Sequence, residues 1–381
     1  MILSLAATEI INRLLDASFE AFAVGGAVRD VIMGRCPNDF DIATNARVDE
    51  IKSLFSDKLV IPTGEKHGTA TVLCSGEPIE VTTFRIDGLY NDSRHPETVI
   101  FVDDITLDLA RRDFTVNAIA YNERHGFVDP FGGFDDIRHR VIRAVGDAKT
   151  RFCEDALRIM RCIRFASVLG FQIDDETNAA LSECYHLLGE VSVERIYSEL
   201  KLFLMGDFGD LIEAYGYIFE FLFPDWKAPT IRFIPNEKDL LTRMAYFFSG
   251  VDVFTASLYL SSLKSDNATK KSVIDILKAL RYPPIKNRRE ALYFLSEYGY
   301  EVGKRALSLR NSIDEMAILE KCRDCCYSID RLDVNGKDIL SLGYHGTEIG
   351  EMKKLLLQAV IDGEVENKKE ALLKFLARQT I

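Results

Sequence analysis

Asp39 and Asp41 flank Phe40 in the stretch Asn38-Asp-Phe-Asp-Ile42. On a strand, residues i and i+2 face the same side, so this spacing would present two carboxylates together with Phe40 packed behind. Like charges so close repel, and the arrangement makes sense around a hard divalent cation; Mg²⁺ suits carboxylates shared with substrate phosphates. Standing alone, such a pair in an acidic chain reads as a solvated edge. Its weight comes from what precedes it. In Phe22-Ala-Val-Gly-Gly-Ala-Val-Arg-Asp30 an apolar strand runs into Gly25-Gly26 and a helix begins. Glycines there let backbone N–H groups approach a ligand, a helix N-terminus favours anions, and Arg29, one turn in, can bind phosphate bidentately.

Three more groups carry chemistry. Glu80, in Ile79-Glu-Val-Thr-Thr-Phe-Arg85, is either a rim residue or a third carboxylate placed to help deprotonate a hydroxyl. In Ala110-Arg-Arg-Asp-Phe-Thr-Val-Asn-Ala118, Asp113 and Asn117 are four apart, the spacing of one helix face, and Arg111 and Arg112 precede them. That set could hold a ribose hydroxyl and a triphosphate, or be a helix cap with basic flanks. In Glu154-Asp-Ala-Leu-Arg-Ile-Met-Arg-Cys-Ile-Arg-Phe165, Asp155, Arg158, Arg161 and Arg164 recur every three residues, and Ala156, Ile159, Met160 and Ile163 fall opposite. The spacing predicts an amphipathic helix with a charged stripe.

An Asp beside an Arg can read a base. Cytosine and adenine each offer an exocyclic amine next to a ring-nitrogen acceptor; a carboxylate takes the amine and a guanidinium the ring nitrogen. Uracil and guanine present a carbonyl and a ring N–H, and both contacts fail. The bland alternative is a solvated face laced with i,i+3 ion pairs.

These groups need a scaffold. The short β-rich runs Ala21–Val24, Phe40–Ile42, Thr69–Cys74, Ile79–Phe84 and Thr98–Val102 lie before residue 145, and helical periodicity dominates after it. That order predicts an α+β domain followed by an all-helical region. Breaks are expected at Phe223-Pro224-Asp225, Ala228-Pro229, Ile234-Pro235-Asn236 and Tyr282-Pro283-Pro284. Tyr90 to Pro96 reads as a polar loop between strands. With 381 residues, about two or three domains are expected. Net charge is −12, which argues against a wholly basic nucleic-acid coat, yet Asp136 to Arg164 holds eight Lys/Arg against four Asp/Glu. No 18-residue apolar run suggests a membrane span, and Met1 to Asp16 reads as an amphipathic helix, not a secretion signal, so a cytoplasmic protein is expected. Cys322-Arg-Asp-Cys325, followed by Cys326, is a lone CxxC and reads as reduced thiols, not zinc ligands.

In this order and spacing, Gly25-Gly26-Ala-Val-Arg29-Asp30, Asp39-Phe-Asp41, Arg111-Arg112-Asp113-Phe-Thr-Val-Asn117-Ala118 and Glu154-Asp155-Ala-Leu-Arg158 resemble class II CCA-adding enzymes, the tRNA nucleotidyltransferases related to poly(A) polymerases. Ser192-Val-Glu194-Arg195 resembles the next helical motif, and Gly343-Tyr-His-Gly346-Thr-Glu-Ile-Gly350 the tail. The resemblance implies a polymerase-β-like nucleotidyltransferase head with a small mixed sheet over residues 1–140, a neck of nucleotide-templating helices over 141–200, a helical body over 201–310 and a tRNA-binding tail over 311–381. It implies a cleft between head and neck, with Asp39 and Asp41 as ligands for Mg²⁺. It further implies that Gly26, Arg29 and Arg112 contact the sugar or phosphates, that Asp113 meets the ribose, and that Asp155 and Arg158 act as a protein template for CTP and ATP, extended by Arg161 and Arg164. The segment from Asp87 to Pro96 matches the element used in switching from C to A.

The function expected from this is untemplated addition of CCA to tRNA 3′ ends, with no membrane and no protein partner implied. An A-only enzyme shares these features. A CC-only enzyme would lack the loop, and a bacterial poly(A) polymerase would carry a longer basic extension. A non-catalytic RNA-binding protein has no need of paired carboxylates. No His-Asp dipeptide occurs, which disfavours an HD-type phosphohydrolase.

Overall fold

The computed structural model describes residues 3–37, 39–88, 99–231 and 238–379. The chain divides into two compact units, one up to Leu222 and one from Phe223, at the expected Phe223-Pro224-Asp225 turn. The expected loop at Tyr90–Pro96 and the break at Ile234-Pro235-Asn236 lie outside the described residues.

The first unit opens with α1 (Leu5–Asp16), which Ser4 caps by accepting from the Ala7 N–H at 3.1 Å. Ala6, Ala7, Ile10, Ile11 and Leu14 are buried at helical spacing. Then come β1 (Ala21–Val24), α2 (Gly26–Ile32), β2 (Asp41–Thr44), α3 (Val48–Leu54), β3 (Leu59–Gly64), β4 (Thr69–Cys74), β5 (Glu77–Thr83), β6 (Arg85–Asp87), β7 (Val99–Phe101), α4 (Ile105–Ala110), β8 (Ala120–Asn122) and β9 (Gly126–Val128). Seven of these strands form one sheet in the order β3-β4-β5-β2-β1-β8-β9. Its neighbours are antiparallel except β2 and β5, which run parallel with Asp41 opposite Glu80. β6 and β7 pair separately.

Alternation places the chemistry. On β5, Ile79, Val81 and Thr83 are buried while Glu80 is exposed and Thr82 half-buried. The pleat sends successive side chains to opposite faces, so Glu80 stands on the face away from the core. All four residues of β1 are buried, and Phe22 and Val24 pack with Phe84, Ile105, Leu109, Ala120 and Val145.

The helical part of this unit follows: α5 (Gly133–His139), the short parallel pair β10 (Val141–Ile142) and β11 (Gln172–Ile173), α6 (Ala148–Glu154), α7 (Leu157–Leu169), α8 (Asp175–Cys184), α9 (Val193–Leu204), α10 (Gly209–Ala214) and α11 (Gly216–Leu222). α7 packs on α9, and Ala156, Ile159, Met160 and Ile163 are fully buried, as the sequence pattern predicts. The predicted stripe needs one correction. Asp155 is not on the helix: its backbone is extended (φ −140°, ψ 101°) between α6 and α7, so only Arg158, Arg161 and Arg164 share the helical face.

Among the described residues the second unit is helical: α12 (Leu240–Phe247), α13 (Val253–Ser262), α14 (Asn267–Leu280), α15 (Arg288–Arg310), α16 (Ile313–Cys322), α17 (Gly336–Leu340), α18 (Thr347–Asp362) and α19 (Lys369–Gln379). Gly299 (φ 76°) breaks α15 in the middle. Arg310 caps α14 by donating to the carbonyls of Leu280 and Ala279 at 3.0 and 3.2 Å. Cys326 packs with Leu332, Ile339, Leu356, Leu372 and Leu376 in a C-terminal core, and Cys322 ends α16 buried. No helix among the described residues is long and apolar enough to cross a membrane.

Candidate active site

The turn from β1 into α2 makes one wall of a cleft. Gly25 sits at φ 73°, ψ −136°, a conformation that L side chains rarely adopt. A Cβ there would also stand 3.0 Å from Nη1 of Arg112. One turn on, buried Arg29 donates to Asp30 Oδ1 at 2.9 and 2.8 Å and to Asn117 Oδ1 at 2.6 Å.

The second wall is the carboxylate edge. Asp41 and Glu80 face one another across the parallel β2–β5 register and both line the cleft. Asp41 is open to solvent, yet the surrounding walls remove enough bulk water to push its carboxyl up. Glu80 and then Asp39 add repulsion, Arg112 opposes them, and the value rises to about 6. Asp39 stands apart from the expected pairing. β2 begins only at Asp41, so the i,i+2 strand argument does not reach Asp39, which is exposed beside a neighbouring hollow with Cys36, Phe40 and Glu77. Among the described residues no three His, Cys, Asp or Glu side chains form a ready-made metal cage. An open edge of mutually repelling carboxylates nevertheless fits a hard cation that completes its shell with substrate oxygens.

The third wall is a chain of charged groups. Asp113 accepts at Oδ1 from the Phe114 N–H (2.8 Å) and Asn117 Nδ2 (3.0 Å), and at Oδ2 from Arg161 Nε (2.8 Å) and Nη2 (2.6 Å). These four donors match the roughly four acceptor positions of a carboxylate. Burial raises this carboxyl, but Arg161's charge and the hydrogen bonds outweigh it and hold Asp113 at about 2. Asp113 and Asn117 meet as predicted, though not along an α-helix: only Thr115–Asn117 is helical, as a single 3₁₀ turn. From Arg161 the network passes to buried Glu199 on α9 (3.6 Å), which also accepts from Arg164 Nε at 2.8 Å. Arg164 stacks 3.5 Å from the centre of the Phe165 ring.

Asp155 and Arg158 close the cleft. Arg195 donates to both oxygens of Asp155, at 3.2 and 2.8 Å, and the Leu157 N–H donates to Oδ1 at 3.1 Å. Arg158 Nη1 donates to Glu154 (2.7 Å) and to the Arg151 carbonyl (3.1 Å), and Nη2 to the Arg111 carbonyl (2.9 Å). Among the described residues, Nε–H and one Nη2–H of Arg158 are left to serve a ligand.

One cleft thus brings together Gly26, Arg29, Asp41, Glu80, Arg112, Asp113, Asp155, Arg158, Arg161 and Arg164; Asp39 does not line it. Seven arginines meet four carboxylates there, a basic site in an acidic chain. Thr69, Thr82, Arg85 and Phe165 also line it, and sequence reasoning missed them. The alternation of β5 could have paired Thr82 with Glu80. Arg195 and Glu199 were reachable only through the helical motif at Ser192, which carries no spacing that ties it to Asp155.

The chain is similar to known proteins over nearly its whole length. The sequence matches the "Poly A polymerase head domain" family over residues 21–143, the "Probable RNA and SrmB- binding site of polymerase A" over 170–228 and "tRNA nucleotidyltransferase domain 2" over 234–376. The fold and the cleft define a nucleotidyltransferase. A CCA-adding enzyme of Lactobacillus delbrueckii subsp. bulgaricus is 35% identical over 97% of this chain and 97% of its own length. One from Geobacillus sp. is 36% identical over 98% and 96%. The crystal structure of the Bacillus stearothermophilus CCA-adding enzyme in complex with CTP has a TM-score of 0.77 at 31% identity, covering 98% of this chain and 97% of that one. The chain belongs to the family of CCA-adding enzymes. Nucleotidyltransferases of this kind generally use divalent metal ions.

Proposed function

We propose that this protein adds C, C and A to tRNA 3′ ends from CTP and ATP in the cytoplasm, selecting each nucleotide with its own side chains. One observation carries this reading: Asp155 and Arg158, an acceptor and a donor that together suit cytosine and adenine, line the same cleft as the carboxylate edge of Asp41 and Glu80. Phosphoryl-type transfer asks a protein for positioning and charge neutralisation more than for covalent work.

Each wall then has a task. Gly26, Arg29 and Arg112 hold the triphosphate and sugar. Asp113, beside them, meets the ribose hydroxyl, which would exchange with one of its present donors. Asp155 accepts from the amine of cytosine or adenine, while the unused N–H groups of Arg158 reach the ring nitrogen. Arg161 and Arg164 extend that surface. Glu80 helps to take the proton of the attacking tRNA 3′-hydroxyl. Asp41 would hold Mg²⁺, and Asp39, near enough to repel Asp41, would be the second ligand only by turning from the neighbouring hollow; the ion when bound neutralises phosphate charge and favours the ionised 3′-oxygen. tRNA follows basic residues by charge, so binding should weaken with salt.

The test uses purified protein, Mg²⁺ and tRNA transcripts ending before CCA, after C, or after CC, each with CTP, ATP or both. Addition of CC and then a single A is the expected result. Addition to the CC-ending transcript alone would mean an A-adding enzyme, long A tails a poly(A) polymerase, and no addition a non-catalytic RNA-binding protein.

A further inference from the structure

Asp108, on α4, is a buried carboxylate with no part in the scheme above. It is 1% exposed, and its neighbours Ile105 and Leu109 belong to the apolar core. An apolar side chain would be cheaper to bury there, since an ionised carboxylate loses water that only good partners replace. Its partners all belong to the cleft. Oδ1 accepts from Arg111 Nε at 3.0 Å and from the backbone N–H of Arg85 at 3.3 Å, and Oδ2 accepts from Arg112 Nη2 at 3.3 Å.

The two arginines are held unequally. Arg111 makes close contacts to Oδ1, at 2.9 Å through Nη2 as well as at 3.0 Å through Nε. Arg112 has the single longer contact to Oδ2, its buried Nε has no partner among the described residues, and its Nη1 lies against the bare Cα of Gly25. Arg112 is therefore aimed into the cleft and tethered at one nitrogen. A long, flexible cation without that tether would lose much of its pre-alignment, because ordering such a side chain costs rotamer freedom.

We propose that Asp108 is a positioning residue: it pre-aligns Arg112 for the nucleotide triphosphate and fixes that arginine relative to the first residue of β6. The inference rests on the reading of Arg112 as a nucleotide contact. Asp108 itself touches no substrate; its charge acts through the guanidinium.

A double-mutant cycle tests this, with Asp108→Asn and Arg112→Ala made singly and together and CTP addition followed at varied CTP concentration. Asp108→Asn is expected to raise KM for CTP about tenfold with kcat changed less than about twofold, and to add less than about twofold in the Arg112→Ala background. Equal effects in both backgrounds would overturn the proposal, because they would mean that Asp108 acts by general destabilisation. If Arg112→Ala leaves KM unchanged, the reading of Arg112 fails instead. Thermal melting is run alongside. Should Asp108→Asn not fold, Asp108→Glu, which keeps the charge and displaces it by one methylene, is carried through the same cycle with the same criteria.

Discussion

Arg195 grips both oxygens of Asp155 from a helix forty residues further along the chain. The bidentate fork fixes the plane of the carboxylate as well as its position. The base-reading role proposed for Asp155 needs that, because selection would depend on presenting an acceptor at one angle. Lys cannot reproduce the fork. Arg195→Lys is therefore expected to lower the CTP-over-UTP preference about tenfold while CTP addition itself falls less. Extension assays with each nucleotide alone measure the ratio; an unchanged preference would remove Arg195 from selection.

Asp41 makes the site sensitive to pH. Its folded-state value is raised to about 6, so ionising it costs stability: the cost builds as pH rises from the ordinary carboxylate value near 4 and is complete above about 6. Asp41→Asn should raise the melting temperature of metal-free protein at neutral pH by about 2 °C after allowance for solvent screening, and abolish addition. In the parent enzyme the acid limb of activity should lie near pH 6 at limiting Mg²⁺ and move lower as Mg²⁺ rises, since cation and proton compete. A limb that ignores Mg²⁺ would separate Asp41 from metal binding.

Asp113 behaves in the opposite sense. Held at about 2, its ionised form stabilises the fold above the ordinary carboxylate value, and that contribution drains away as pH falls from about 4 towards 2. Asp113→Asn should cost about 3 kcal/mol at neutral pH, because Arg161 loses its main partner. It should also flatten the melting-temperature profile across that acid window. Calorimetry at several pH values reads both effects.

Gly25 tests the turn. Gly25→Ala places a Cβ on a backbone at φ 73° and 3.0 Å from Arg112 Nη1. The backbone strain should cost about 1–3 kcal/mol. The guanidinium, being the end of a flexible chain, will move aside, so KM for both nucleotides should rise several-fold. A melting shift with no change in KM would mean that Arg112 tolerates the intrusion.

What was legible in the sequence was local. The glycine turn, β1, β4 and the buried face of α7 each follow from neighbours within a few residues, and each is found where the pattern places it. Asp39 and Asp41 were read as one strand, but where a strand begins is decided by its partner, and the ladder to β5 starts at Asp41. Asp155 looked helical by spacing, yet the chain is extended there and a hydrogen bond from Leu157 turns its carboxylate inward. Arg195 stood out only as part of the Ser192-Val-Glu194-Arg195 motif, and nothing local tied it or Glu199 to the cleft; their places there arise from α9 lying against α7.

The parallel register of β2 and β5 serves as a yardstick. Neighbouring strands stand about 4.8 Å apart, so the backbone ladder, and not a pliable loop, sets the gap between Asp41 and Glu80. Shortening Glu80 to Asp would change reach by one carbon without disturbing that gauge. A cation held by Asp41, as proposed, and a proton taken by Glu80 would therefore start from backbone positions that the sheet sets, with side-chain torsions alone left to adjust between them.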